Sequence, residues 1–215
     1  MMKPVWVFDL DNTLHNATPH IFPHINRSMT AYLQQHLQLD EHAANTLRVH
    51  YWKRYGATLS GMMRHHGTDP GHFLWHTHQF AQLAQMVVRE PRLRHVLKKL
   101  PGRKLVFSNA PQHYARAVLE LLGVHDLFDD LFAIEQTLYR PKPELHGYRR
   151  LLRRHGLNPT RCVMVEDSAE NLQVAKRLGM QTVWVSGVSR TPAYVDVKLA
   201  NVMQLPRALS RLGCG

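Results

Sequence analysis

Cysteine is nearly missing from this 215-residue chain, which has only Cys162 and Cys214. Two cysteines are too few for a disulfide framework, and no zinc-finger signature is present, so a reducing compartment fits. Cys162 sits in the apolar run Cys162-Val163-Met164-Val165 and is expected to be a buried core thiol. Long apolar runs are also missing. None approaches the ~20 residues of a membrane span, and no charged leader precedes an apolar segment near the start. The expectation is a cytoplasmic protein with no membrane partner. No internal repeat and no low-complexity tract is present. Acidic residues are the minority sign, 16 against 27 Lys and Arg, for a formal charge of +11. A basic balance suits an anionic ligand or a nucleic acid. The basic pairs Lys98-Lys99, Arg149-Arg150 and Arg153-Arg154 are dispersed, however, and no RNA-binding signature accompanies them. They read as solvated helix faces, with no stable nucleic-acid partner.

What is present is a core and a pattern. Hydrophobic residues make up 44% of the chain, enough for one large domain or a domain with an insertion. Val5-Trp6-Val7-Phe8 runs without alternation into Asp9-Leu10-Asp11-Asn12-Thr13. A continuous apolar run is the mark of a strand buried on both faces, as in a parallel sheet covered by helices. Ligands of such sheets sit at the carboxyl ends of the strands, where Asp9 and Asp11 stand. Two carboxylates held this close need a cation or a shared proton.

After Thr13 the strand pattern stops. Helical spacing predicts helices over 19–38, 40–56 (with Asp40 as N-cap), 59–66 and 70–88. Some seventy helical residues are too many for a crossover. They are expected to form a small all-helical cap, residues 15–88, inserted after the first strand of a core made of residues 1–14 and 89–215. From Glu90 onward the period alternates. Helices are expected over 91–100, 111–122, 143–155 and 168–178, and strands over 104–108, 131–135, 161–166 and 181–185. This is the pattern of an α/β fold, a Rossmann-like parallel sheet with helices on both faces.

Polar residues collect just after the strands: Asp9 and Asp11, then Ser108-Asn109, then Glu166-Asp167. Lys142 lies between the third and fourth strands, stiffened by Pro141 and Pro143. Hard carboxylate oxygens suit Mg²⁺, and a hydroxyl and an ammonium suit phosphate oxygens. The set points to Mg²⁺-assisted phosphoryl transfer.

At these residues the chain resembles the haloacid dehalogenase superfamily, mostly phosphatases. Its four motifs match Asp9-Leu10-Asp11-Asn12-Thr13, Ser108, Lys142 and Glu166-Asp167, in order and across the whole chain. The resemblance implies that Asp9 attacks phosphorus and becomes an aspartyl phosphate. It implies that Asp11 protonates the leaving oxygen and then deprotonates the attacking water. Ser108, Asn109 and Lys142 are the expected phosphate-binding residues. Asp9, Asp167 and the backbone carbonyl of Asp11 are the expected Mg²⁺ ligands, with Glu166 nearby.

The cap segment Tyr51-Trp52-Lys53-Arg54-Tyr55-Gly56 is similar to a run in the pyrimidine 5′-nucleotidase branch. That likeness implies UMP and CMP as substrates, with Tyr51, Lys53 and Tyr55 as candidate specificity residues. Tyr51 and Tyr55 share a helix face. They either stack on a base or pack inside the cap. The alternatives are a broad sugar-phosphate or cofactor phosphatase and, from another class, a silent basic nucleic-acid-binding protein. Dehalogenation is disfavoured, because the acid Asp11 serves ester cleavage. The only cap lysine, Lys53, gives no support for a phosphonate hydrolase. Sixteen histidines include the pairs His20/His24 and His72/His76, four apart as in zinc-binding helices. No third ligand stands out, and the pairs read as exposed cap histidines.

Overall fold

The computed structural model describes residues 3–213, so Cys214 lies outside the described residues. Six parallel strands form one sheet: β1 (Val5–Phe8), β2 (Arg103–Phe107), β3 (Asp130–Phe132), β4 (Cys162–Glu166), β5 (Gln181–Val185) and β6 (Val197–Leu199). Their order is β3-β2-β1-β4-β5-β6, with β1 in the centre, Phe8 opposite Val106 on one side and Val165 on the other. Alternate residues of each strand enter two different cores. Trp6, Phe8, Val106 and Val165 pack on one face, and Val7, Leu105, Phe107 and Met164 on the other. Both faces are buried because both are covered, which is why the strands read as unbroken apolar runs.

Four helices cover the sheet. Helices α6 (Leu93–Lys99) and α7 (Gln112–Leu121) lie on the first face through Leu97, Tyr114 and Val118. Helices α8 (Leu145–Arg154) and α9 (Ala169–Arg177) lie on the second through Tyr148, Leu151 and Leu172. The fold is thus a Rossmann-like α/β sheet, as the alternating pattern requires.

Between β1 and β2 run α1 (Ile21–Leu37), α2 (Glu41–Tyr55), α3 (Thr58–His66), α4 (Pro70–Thr77) and the short α5 (Leu83–Met86). Four of them share a separate apolar cluster, with Tyr32, Leu33, Tyr51, Met62 and Phe73 at its centre. The Asp40 carboxylate caps α2 by accepting from the Ala43 amide at 2.8 Å. Gly56, at φ 77°, ends the same helix with a left-handed turn.

Three elements differ from the sequence reading. The helix expected over 70–88 stops at Thr77, whose hydroxyl donates back to the Phe73 carbonyl at 2.7 Å. Phe80 then turns away to pack on Tyr114 and His24. The third strand ends at Phe132, and Ile134–Thr137 coils into a 3₁₀ turn closed by the Thr137 hydroxyl. The edge strand β6 was not anticipated.

Candidate active site

β1 delivers its two acids by a fixed turn. The Asp9 amide extends the ladder by donating to the Val165 carbonyl at 2.9 Å. The chain then folds back, with the Leu14 amide on the Leu10 carbonyl. Asn12 takes the left-handed conformation, φ 64°, which asparagine tolerates better than most residues. Its side-chain oxygen accepts from the Ala17 amide and the Thr18 hydroxyl, locking the turn. Sequence-adjacent chemistry thereby becomes a rigid platform.

Lys142 is buried at the centre of the collected groups. Its ammonium donates to Asp9 Oδ1 at 2.7 Å, Glu166 Oε2 at 2.8 Å and the Phe107 carbonyl at 2.8 Å. Asn109 holds the Lys142 backbone at both ends: its amide donates to the Lys142 carbonyl and its oxygen accepts from the Lys142 N–H. Asn109, expected as a phosphate ligand, has both side-chain polar atoms on the Lys142 backbone and works as a clamp on the lysine loop. Ser108 is buried, and its oxygen accepts from the Ala110 amide at 3.0 Å, which leaves the hydroxyl proton to donate into the cleft. Glu166 Oε1 accepts from the Asp167 and Ser168 amides.

The charge balance is uneven. Burial, then the Glu166 charge, pushes the Asp9 carboxyl up to about 7 against the pull of Lys142. Glu166 is pushed up to about 7, again chiefly by burial. Burial also raises Asp167. Burial alone would lower Lys142, but Asp9 and Glu166 more than offset that and raise it. One ammonium is therefore short of what three carboxylates need. Among the described residues, Asp9, Glu166 and Asp167 are the group of metal-binding type whose ligand atoms all lie within 4.8 Å of one another. All are hard oxygen donors. Glu166 is taken up by Lys142 and two amides, so Asp9 and Asp167 are the better-placed ligands, and the set fits Mg²⁺. The two histidine pairs are engaged elsewhere. His24 is hydrogen-bonded to the Gln79 carbonyl, and His72 Nδ1 to the Tyr32 hydroxyl at 2.8 Å.

Asp11 is held by two residues that the sequence did not single out. The Tyr114 hydroxyl donates to Asp11 Oδ1 at 2.6 Å, and His15 Nε2 donates to the same oxygen at 2.9 Å. With Oδ1 fixed, Oδ2 is free to carry a proton. His15 lies four residues after Asp11, a spacing that was readable. Tyr114 lies 103 residues away in α7 and left no local signal. His78, also unforeseen, lines the same cleft, and burial lowers it to about 4.

A cavity of about 600 Å³ joins these groups to the helices above. Asp9, Asp11, Ser108, Asn109, Lys142, Glu166 and Asp167 all line it. Its lining also includes Phe22, Ile25 and Met29 of α1 and Arg48 and Trp52 of α2. Tyr51, Lys53 and Tyr55, the cap residues proposed from the sequence, are not among its lining residues. Tyr51 is only 6% exposed and its hydroxyl bonds His66 at 2.8 Å, while the Tyr55 hydroxyl bonds His65 at 2.7 Å. The stripe of α2 that holds these rings faces α3, and the stripe one residue over faces the cleft.

Gly61 shows how closely α2 and α3 approach. A Cβ there would lie 2.2 Å from Tyr51 Cγ. Gly61→Ala is expected to lower stability by ~1–3 kcal/mol through overpacking. Urea unfolding measures this, and an unchanged midpoint would show that Tyr51 is free to move off α3.

Comparison with known proteins follows the same lines. Residues 5–179 match the family model described as "Hydrolase: haloacid dehalogenase-like hydrolase". Phosphate metabolism protein 8 of Saccharomyces cerevisiae is 24% identical over 195 residues, covering 83% of this chain and 60% of the yeast protein. The chain thus spans less than two thirds of that relative's length. Phosphoglycolate phosphatase of Rhodospirillum rubrum is 28% identical over 215 residues, covering 89% of this chain and 83% of that protein. The crystal structure of CbbY from Rhodobacter sphaeroides in complex with phosphate superposes with a TM-score of 0.67 at 19% identity, covering 95% of this chain and 96% of that one. A family match that begins at β1 and runs through α9 takes in each acid, hydroxyl and ammonium of the cleft, and it makes the chain a member of the haloacid dehalogenase-like hydrolases.

Proposed function

We propose that this chain is a Mg²⁺-dependent phosphatase that works through an aspartyl phosphate on Asp9, with UMP and CMP as substrates. The observation that supports this best is the single cleft shared by Asp9, Asp11, Ser108, Lys142 and Asp167. In this account residues 15–88 form the cap over a core of residues 1–14 and 89–215. The Asp9 carboxylate attacks phosphorus as the ester P–O bond breaks. Asp11 gives its proton to the departing oxygen. Asp11 then takes a proton from a water molecule, whose oxygen attacks phosphorus and frees Asp9. Lys142 and the Ser108 hydroxyl hold the phosphoryl oxygens and meet their charge. Bound Mg²⁺ would add charge neutralisation between Asp9, Asp167 and the phosphate dianion.

Substrate choice falls to the part of the lining that α1 and α2 supply. Trp52 is 58% exposed, lines the cleft, and takes over the stacking role first considered for the tyrosines. Stacking a base on an aromatic ring is worth ~1–3 kcal/mol, roughly tenfold to hundredfold in kcat/KM. The test is kcat/KM for UMP, CMP, AMP, GMP and glucose 6-phosphate with wild type and Trp52→Ala. UMP and CMP should lead, and Trp52→Ala should cost the nucleotides more than the sugar phosphate. Equal turnover of UMP and glucose 6-phosphate by the wild type would replace the nucleotidase with the broad phosphatase. The names of the relatives, a phosphoglycolate phosphatase among them, support phosphate-ester chemistry without favouring a nucleotide.

A further inference from the structure

The cleft contains a hydrogen-bond acceptor that the proposed chemistry does not use. His78 follows α4, is 7% exposed and lines the same cavity as Asp11 and Ser108. Its neighbour fixes its tautomer. The Thr77 hydroxyl has one proton, and that proton goes to the Phe73 carbonyl at 2.7 Å, because a carbonyl only accepts. Thr77 Oγ1 therefore accepts from His78 Nδ1 at 3.0 Å, and Nδ1 carries the hydrogen. Burial, against the pull of the Asp11 charge, lowers the ring to about 4. At neutral pH the imidazole is thus uncharged, and its Nε2 holds a lone pair.

That lone pair has no hydrogen-bond partner among the described residues. Nor is Nε2 one of the sealed-off polar atoms, which are Thr13 Oγ1, His15 Nδ1, His146 Nε2 and His155 Nε2. It is open to solvent on a ring that lines the cleft. The rest of the residue is pinned. Its backbone N–H donates to the Leu74 carbonyl at 3.1 Å, and its carbonyl accepts from His113 Nε2 at 3.2 Å. The ring packs against Tyr114, with centroids 5.8 Å apart and planes at 62°. Tyr114 in turn donates to Asp11 at 2.6 Å. The acceptor therefore stands one ring away from the acid that protonates the leaving oxygen. Held this firmly, it loses little freedom on binding.

The phosphoryl dianion has no proton to offer such a group. A leaving alcohol with a second hydroxyl does, and ribose carries two on the ring next to the 5′ ester oxygen. We propose that His78 Nε2 accepts a hydrogen bond from a ribose hydroxyl of the leaving nucleoside, which makes His78 a specificity residue for the sugar. The proposal rests on the nucleotide reading above and extends it from the base to the ribose.

The test is kcat/KM with Mg²⁺ for UMP, 2′-deoxy-UMP and 3′-deoxy-UMP in wild type, His78→Phe and His78→Gln. Wild type should handle at least one deoxy analogue roughly fivefold to hundredfold less well than UMP, because a buried acceptor is left unpaired. His78→Phe keeps a ring and removes the acceptor, so it should bring that ratio close to one. His78→Gln, whose amide oxygen reaches the place of Nε2, should keep part of it. Comparing ratios cancels any loss of folded protein. A wild type that treats all three esters alike would overturn the proposal. So would a ratio unmoved by His78→Phe, which would mean that the ring meets the base or only shapes the cleft. Turnover of 4-nitrophenyl phosphate by the wild type separates the two levels of failure. If that ester is hydrolysed and UMP is not, the nucleotide reading falls and takes this inference with it. If UMP is hydrolysed and the ratio does not move, this inference falls alone.

Discussion

Asp9→Asn should reduce phosphate-ester turnover to background, a loss on the order of 10⁴-fold or more by analogy with other covalent nucleophiles. The amide keeps the volume and removes the attacking charge. The fold should survive, because Asp9 is a burden on it in the absence of metal. Burial and the Glu166 charge push its carboxyl up to about 7, so the folded state resists the ionised form. Lys142 would keep its bonds to Glu166 and to the Phe107 carbonyl. Thermal melting in EDTA should therefore place Asp9→Asn within about 3 °C of wild type, the shift that a change of about 1 kcal/mol makes in a chain of this size. Asp11→Asn should also be severe, by ~10²–10⁴-fold, as expected for loss of a general acid and base. Full activity in purified Asp9→Asn would end the mechanism.

Removal of Mg²⁺ should be nearly as damaging. EDTA should abolish turnover, and Mg²⁺ should restore it. Ca²⁺ should not, since it takes more ligands at longer range and would misplace Asp9. Undiminished rates after chelation and desalting would contradict the metal assignment. The same site also predicts a pH-dependent stability effect. Asp9 and Glu166 are raised from 3.8 and 4.5 to about 7, so between about pH 4 and 7 the metal-free folded state holds more protons than the unfolded chain. Their contribution to stability therefore falls as pH rises through that window. His78, lowered from 6.5 to about 4, contributes with the opposite sign below pH 6.5. The shift caused by Mg²⁺ at fixed pH separates the two. At tenfold excess over its Kd, Mg²⁺ should raise Tm by about 3–6 °C at pH 8. That rise should shrink towards zero at pH 5, where protons occupy the carboxyls. Calorimetry with and without Mg²⁺ at both values would measure this. A larger effect at pH 5 would place the ion elsewhere.

The parts of the fold legible in the sequence were those where one local pattern had one structural meaning. Val5–Phe8 and Cys162–Glu166 are central strands buried on both faces, so their apolar runs were unbroken. The turns after β1, β2 and β4 bring polar residues to one edge, and with Lys142 between the third and fourth strands that made Asp9, Ser108, Lys142 and Asp167 readable together. Val197–Leu199 was missed because an edge strand of three residues, interrupted by Lys198, has no period to detect. The helix expected over 70–88 was over-extended because Phe73, Phe80, Leu83 and Met86 keep helical spacing past Thr77, where the helix stops. Tertiary packing of Phe80 on Tyr114 decided that segment. On α2 the ambiguity was deeper. Tyr51/Tyr55 and Arg48/Trp52 are both spaced four apart, and nothing local says which stripe meets α3 and which meets the cleft. The close approach of Gly61 to Tyr51 and the bonds of the two tyrosines to His66 and His65 of α3 separate them.

The most direct test of the covalent route is an acid quench of the enzyme during turnover of a ³²P-labelled aryl phosphate with Mg²⁺. The account predicts protein-bound label that hydroxylamine releases, as an acyl phosphate requires, located on the peptide containing Asp9 and missing in Asp9→Asn. Steady release of labelled phosphate, with no label on the wild-type protein at any quench time and Asp9→Asn still active, would contradict it.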